Sequence, residues 1–207
     1  LNEGACGDAP MTRMTIPLFP LNAVLFPDGP LPLRIFEPRY LDMISRCLRE
    51  ESSFGVVQIC SGTDVGEVET ADVGTLARIV DWYQGSDGIL GITARGTRKF
   101  QLHDISRQTD GLYVGEVGLL AEEPGLKLPE EFRPMAALLE TVIDDLGRLY
   151  DAIDKHYDDA AWVGYRLAEI LPMPSAEKQS CLELVDPVER LHVLRPMLRP
   201  FRHERGQ

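Results

Sequence analysis

The sequence has no hydrophobic run of the length that a membrane-spanning helix needs. Such a helix takes about 18 or more consecutive apolar residues, and every apolar stretch here is shorter. Residues 1–10 also lack the basic and apolar regions of a secretory signal. We therefore expect no membrane partner. Because the chain begins with Leu, we expect residues 1–13 to be a disordered leader or a cloning remnant, with Met11 or Met14 as the natural start.

Cysteines are few and widely spaced. The four present are Cys6, Cys47, Cys60 and Cys181, and no two form a C-x-x-C pair. This spacing excludes a dense disulfide framework and the common zinc sites. Cys47 and Cys60 lie within apolar patterns, as small buried side chains do. We expect a cytoplasmic protein without a metal site.

The common catalytic and nucleotide-binding motifs are also absent. There is no Walker A loop, no dinucleotide-binding glycine motif, no H-E-x-x-H and no G-x-S-x-G. Ser175 and Lys178 match the S-x-x-K pattern of serine acyl-enzymes, but the partner motifs are missing. A serine after Pro174 also suits a helix N-cap. We expect no catalytic residue and no cofactor, and we keep a hydrolase that uses Ser175 as an alternative.

The charge is strongly acidic, with a formal net charge of -12 from 21 basic and 33 acidic residues. An acidic surface repels the phosphates of nucleic acids and of anionic lipids, so the charge argues against nucleic acid as a partner. It leaves room for a basic or amphipathic partner, or for a merely solubilising role. Residues 190–203 are basic, which suits either a helix C-terminus or an interaction tail.

Residues 15 to 120 show the alternation of short strands. Ser86-Asp87-Gly88 and Thr109-Asp110-Gly111 supply the positive φ angles of tight hairpin turns. Several strands joined in this way favour a small barrel or sandwich. Proline cannot donate a ladder hydrogen bond, so Pro17 and Pro20 predict an edge or corner strand. Pro38 suits the first turn of a helix over residues 39–49.

From about residue 129 the hydrophobic period becomes helical. The pattern predicts one long helix from Phe132 to Ile153 and a second helix capped by Asp158 or Asp159. Ser175 is a candidate cap for a third helix, and Asp186-Pro187 begins a fourth. The predicted fold class is α+β, with a β-rich part over residues 14–123 and a helical part over residues 124–207.

Several stretches together resemble one known family. The segment IPLFPLNAVLFPDGPLPLRIFEPRYLDMI resembles the opening of the Lon protease N-terminal (substrate-binding) domain. The likeness continues in four further segments: FGVV at 54–57, VGTLARI at 73–79, GTRKF at 96–100 and EKQSCLELVDPVERLHVL at 177–194. Any one of these would be a weak match, but together they cover about residues 14–200.

The resemblance implies a PUA-like β-barrel subdomain followed by an α-helical bundle subdomain. It further implies a non-enzymatic module that recognises unfolded or extended polypeptide segments in protein quality control, working with a separate protease or chaperone. In full Lon proteases an ATPase and a Ser-Lys protease follow this region, so we expect a stand-alone member. An RNA-binding PUA-like protein is the second alternative, because such folds often bind RNA.

Six residues form the predicted binding site: Phe36, Glu37, Arg39, Tyr40, Trp82 and Tyr83. Tyr40, Phe36, Trp82 and Tyr83 are aromatic residues expected to line a groove between barrel and helices, and burial in the core is the other reading of each. Backbone pairing at a free strand edge is a second way to hold a peptide. Glu37 suits the positive end of the helix, or else it pairs with Arg34, Arg39 or Arg78 at the strand–helix junction.

Overall fold

The computed structural model describes residues 13–62 and 68–198. The predicted leader lies outside this range except for Arg13, and so does the end of the basic C-terminal run. The first part of the chain is a curled sheet with one inserted helix, α1, which spans Pro38–Glu50. The strands are β1 (Arg13–Leu21), β2 (Pro30–Ile35), β3 (Phe54–Gly62), β4 (Val68–Thr70), β5 (Val73–Gln84), β6 (Leu90–Arg107) and β7 (Tyr113–Leu119).

Five of these strands form a ring. Antiparallel pairing runs in the order β1-β7-β6-β5-β3, and a parallel pairing between β3 and β1 closes it. The remaining two strands attach to this ring, β2 to β6 and β4 to β3. The predicted small barrel and α+β class are therefore confirmed.

The proline-rich first strand is a corner, not an edge. Its residues from Arg13 to Leu18 pair with β7, and its residues from Leu18 to Leu21 pair with β3. Pro17 lies in the first part and Pro20 in the second, so each belongs to a segment with a single paired neighbour. A proline is tolerated at such a place because the ladder does not need its missing N–H. The predicted edge or corner strand is therefore confirmed in its corner form.

The hairpin between β5 and β6 contains the bulges that shape the candidate site. Its turn has the predicted glycine, since Gly88 has φ +79° and the Gly85 N–H donates to the Ile89 carbonyl at 2.9 Å. The register then shifts by one residue between Ile79 and Asp81. This bulge at Val80 places Arg78 opposite Arg95. A regular hairpin from the same turn would place Arg78 opposite Gly96.

The second part of the chain is helical and packs beside the barrel. Short 3-10 turns occur at Glu130–Phe132, Gly147–Tyr150 and Arg195–Leu198. Predicted caps are confirmed at Asp159, which accepts from the Trp162 N–H, and at Asp186, which accepts from the N–H groups of Val188 and Glu189. The α-helices are α2 (Arg133–Leu146), α3 (Ala160–Ile170), α4 (Ser175–Glu183) and α5 (Pro187–Leu194).

Two details of the helical prediction are wrong. The long helix predicted from Phe132 to Ile153 ends at Leu146, because Gly147 takes a positive φ of 59° that stops an α-helix. Ser175 is the first residue of its helix and does not cap it; Pro174 occupies the cap position. None of the helices in residues 13–62 and 68–198 is both long and apolar enough for a bilayer crossing.

A loop of the β-rich part reaches into the helical core. Phe26, from the loop after β1, is fully buried among helical residues that include Phe132 and Trp162. Its ring lies 5.8 Å from the ring of Tyr165 on α3. A separate cluster packs α1 against the sheet and includes Phe19, Tyr40 and Phe54. The loop around Phe26 therefore anchors one part of the chain in the other.

Candidate functional site: a groove between barrel and helices

An open groove of about 900 Å³ lies between the strands β5 and β6 and the helix α3. One wall carries arginines and the exposed Val80, and the other carries the start of α3. The lining residues that matter below are Asp28, Arg78, Val80, Arg95, Arg98, Glu122, Asp159 and Trp162.

A tight turn fixes the floor of the groove. The Asp28 N–H donates to the Gly96 carbonyl, and the Gly96 N–H donates to the Gly29 carbonyl, both at 2.9 Å. A Cβ atom at Gly96 would overlap the Phe26 carbonyl oxygen, so only glycine lets the turn approach β6 this closely. The Arg166 guanidinium of α3 donates to the Pro27 carbonyl at 2.7 Å. Strand, turn and helix are thus held together at this point.

A buried charged cluster joins the two parts of the chain below the groove. Glu123 accepts from Lys99 at 2.7 Å and from both terminal nitrogens of Arg190, at 3.0 and 2.7 Å. The Tyr165 hydroxyl donates to the same carboxylate. Lys99 and Arg190 also donate to the Leu182 and Cys181 carbonyls, at 3.0 and 2.8 Å. One carboxylate therefore links β6, α3 and α5.

Electrostatics keep Glu123 ionised in this cluster. Burial alone would raise its pKa, but the hydrogen bonds and charge of Arg190, aided by Lys99 and Tyr165, lower the pKa below its usual value. Burial lowers the pKa of Lys99, although Glu123 opposes that shift. Burial also raises the pKa of Tyr165, which stays protonated and donates. The cluster holds the fold together and leaves little capacity for proton transfer.

The groove carboxylates are all engaged within the protein. Asp28 forms an ion pair with Arg95 at 2.9 Å, and Asp159 caps α3. Glu122 lies 3.5 Å from Nε of Arg98, and Glu123 belongs to the buried cluster.

Some cationic and hydrogen-bond-donating groups of the groove have no partner among the described residues. Arg78 is exposed, and no described carboxylate lies within ion-pair distance of its guanidinium. Nε of Arg98 and Nε1 of Trp162 are buried and have no hydrogen-bond partner among the described residues. Leaving a buried donor unpaired costs roughly 1–3 kcal/mol. The groove therefore presents donors and positive charge that a ligand rich in acceptor atoms would satisfy.

The six residues predicted for the binding site lie elsewhere. Tyr40 is 3% exposed and stacks on Phe19 with ring centroids 3.9 Å apart, so it belongs to the core between α1 and the sheet. Arg39 is the partner of Glu37, at 2.7 Å, and it also donates to the Gly111 carbonyl at 2.9 Å. This pair ties the strand–helix junction to the turn before β7, which is one of the roles predicted for Glu37.

The other three predicted residues are exposed aromatic side chains near the β5–β6 hairpin. Phe36, Trp82 and Tyr83 are 69%, 60% and 55% exposed. Tyr83 covers Gly91 and lines a shallow hollow of about 180 Å³ with Arg34 and Asp87. None of the three lines the larger groove. Their part in binding remains a prediction.

The residues of the S-x-x-K match hold the fold together. The Ser175 hydroxyl donates to the Asn22 carbonyl at 3.0 Å. Lys178 donates to the Glu169 carbonyl at 2.6 Å. Each side chain thus bonds to the backbone of a different element, which accounts for both residue types without catalysis.

Comparison with known proteins places the chain in a family. The profile of the ATP-dependent protease La (LON) substrate-binding domain matches residues 15–199. The chain belongs to this family. A crystal structure of a Lon N-terminal domain protein from Xanthomonas campestris is 38% identical, with a TM-score of 0.74, over 88% of this chain and 98% of that one.

Curated relatives of this Lon-domain chain are longer proteins. Lon protease of Parabacteroides distasonis is 30% identical over 193 residues, which are 87% of this chain and 23% of that protein. Protein cereblon of Danio rerio is 32% identical over 112 residues, 52% of this chain and 26% of that protein. The chain therefore spans about a quarter of the length of these relatives.

Proposed function

We propose that this Lon-family domain is a non-enzymatic module that binds extended polypeptide segments in the groove between barrel and helices. The family name, a substrate-binding domain, supports the binding role. The observation that carries the location is the groove itself, a concave surface of about 900 Å³ with unsatisfied donors. Such clefts between subdomains are where ligands generally bind.

The chemistry of the groove suits a peptide. An extended chain presents backbone carbonyls at regular intervals, and these are acceptors for donors such as Arg98 and Trp162. Val80 is 53% exposed on the groove wall and offers an apolar contact for a side chain. In a bound peptide, the backbone carbonyls would accept from these donors and a side chain would contact Val80.

We also propose that the protein works in the cytoplasm, together with a separate protease or chaperone. Cys47, Cys60 and Cys181 are free thiols, as expected in the reducing cytoplasm. A module that only binds would deliver its polypeptide to a separate protease or chaperone in protein quality control.

Peptide titration of two matched variants tests the location. Val80→Glu places a charge on the groove wall, whereas Val185→Glu makes the same change at a residue that is 76% exposed and outside the groove. With fluorescent apolar peptides, we expect saturable binding that Val80→Glu weakens at least fivefold and Val185→Glu leaves unchanged. Absence of binding across a broad peptide library, or equal effects of the two variants, would contradict the proposal.

A further inference from the structure

We infer that the groove selects polypeptide segments that carry an acidic side chain, and that Arg78 binds this carboxylate. The inference rests on the proposed function, because it specifies which segments the same groove takes. It runs against the overall charge of -12, which by itself favours basic partners. The charges and hydrogen-bond donors within the groove, and not the net charge of the chain, determine which segment it binds.

Arg78 lies opposite a second arginine on the neighbouring strand. Like charges opposite each other on neighbouring strands are destabilising, and the bulge at Val80 creates such a pair from Arg78 and Arg95. Bulges near functional sites commonly re-aim a side chain. Asp28 compensates Arg95 only, so the pair retains one unmatched positive charge that faces the groove.

Two buried donors in the groove have no hydrogen-bond partner among the described residues. Trp162 is 5% exposed and lines the same groove, and its Nε1 has no partner among the described residues. Nε of Arg98 is buried and has no hydrogen bond within the described residues, although Glu122 lies at ion-pair distance, 3.5 Å, from it. Every unmet group here is a donor, so the complementary ligand carries acceptors. Backbone carbonyls of any peptide can accept from Trp162 and Arg98, whereas only an acidic side chain also supplies a counter-charge for Arg78.

The acidic residues of the groove favour a peptide carboxylate over a nucleic acid as the ligand. Asp28, Glu122 and Asp159 all line the groove, and their charges repel a chain of phosphates. A peptide with a single acidic side chain would place its carboxylate on Arg78, while its uncharged backbone occupies the rest of the groove. The apolar Val80, two residues along the same strand, would contact a neighbouring side chain of the segment.

The test uses capped peptides of one apolar sequence with a central Glu, Gln or Lys. N-acetylation and C-amidation remove terminal charges, and the Gln peptide is also made with a free carboxyl end. Dissociation constants are measured for the full chain and for the variants Arg78→Gln, Arg78→Glu and Arg46→Gln. Arg46 is exposed on α1, away from the groove, and serves as the matched control.

For the unaltered chain we expect the Glu peptide to bind about tenfold more tightly than the Gln peptide, the size of one charge-assisted contact. Arg78→Gln should remove that ratio and Arg78→Glu should make the Lys peptide the tightest, while Arg46→Gln preserves the original order. The ratio should also shrink as salt rises.

The contradictory outcomes are distinct. If no peptide binds, the proposed function fails. If the Glu, Gln and Lys peptides bind equally, only the acidic selectivity fails. Preference for the free carboxyl end over the central Glu would overturn the side-chain assignment. Displacement of the peptide by single-stranded RNA in an Arg78-dependent way would assign the site to phosphate and overturn the inference.

Discussion

Arg78 and Arg95 lie opposite each other on β5 and β6, and Asp28 forms an ion pair with Arg95 only. This relationship leaves the guanidinium of Arg78 as an unmatched positive charge in the groove of an acidic protein. It depends on the bulge at Val80 and on a turn held against Gly96. The selectivity of the groove therefore depends on the register of the β5–β6 hairpin. Substitutions at Arg78 and at Asp28, the partner of Arg95, test this dependence.

Removing the carboxylate of Asp28 should strengthen the groove's preference for acidic peptides. Asp28 has a positive φ of 59°, which asparagine also tolerates, so Asp28→Asn keeps the turn. We expect the Glu peptide to bind about threefold more tightly because Arg95 becomes available. The unfolding free energy should change by less than about 1 kcal/mol, since the ion pair is partly exposed. Asp87→Asn, which removes the partner of Arg34 outside the groove, is the control; weaker peptide binding in Asp28→Asn contradicts this account.

Glu123 should be the most important single charge for stability. Glu123→Gln leaves Lys99 and Arg190 buried without a counter-charge, so we expect a loss of about 3–5 kcal/mol in unfolding free energy. Glu122→Gln changes the neighbouring residue, whose side chain is 76% exposed, and should cost less than about 0.5 kcal/mol. Urea unfolding measures both. Similar midpoints for the two variants would show that the cluster does not hold the subdomains together.

The same carboxylate should control the acid sensitivity of the fold. Its pKa is lowered on folding, so its contribution is fully present above its ordinary value of 4.5 and is lost as pH falls through the lower folded value. We expect the stability difference between the unaltered chain and Glu123→Gln to be constant from about pH 7 to 5 and to shrink below about pH 4. A difference that grows with acidity would mean that the sign of this shift is wrong.

Gly96 should tolerate no side chain. In Gly96→Ala the new methyl group overlaps the Phe26 carbonyl and pushes the turn off β6, with an expected cost of about 1–3 kcal/mol. Peptide affinity should fall as well, because the turn forms the floor of the groove. Gly125→Ala is the matched control, since the nearest atom to its new Cβ is 3.5 Å away. Equal stability of the two variants would contradict the close approach described here.

Local signals in the sequence were sufficient for much of the fold. Asp-Gly turns, the caps at Asp159 and Asp186, and Pro38 at the start of α1 act within a few residues, and they predict the elements that form. The apolar pattern does not predict the break at Gly147, because it continues on both sides of this residue. The glycine itself is a typical signal for a helix C-terminus.

The groove was not predicted because it arises from register and long-range contacts. Arg78 was considered only as a partner for Glu37, a role that Arg39 fills from two residues away. Its position opposite Arg95 follows from a one-residue bulge at Val80, which no local pattern marks. The aromatic residues Trp82 and Tyr83 are predicted binders because of their residue type, but neither lines the groove. An arginine repeated on both arms of a predicted hairpin was the available signal.

Residue-level mapping of peptide binding tests the central claim most directly. In two-dimensional NMR spectra of the labelled chain titrated with the Glu peptide, we predict the largest backbone amide shifts at residues 95–99 and 160–162, on the two walls of the groove. Largest shifts at Phe36, Trp82 and Tyr83, with residues 95–99 and 160–162 unchanged, would contradict the account and place binding on the exposed aromatic residues instead.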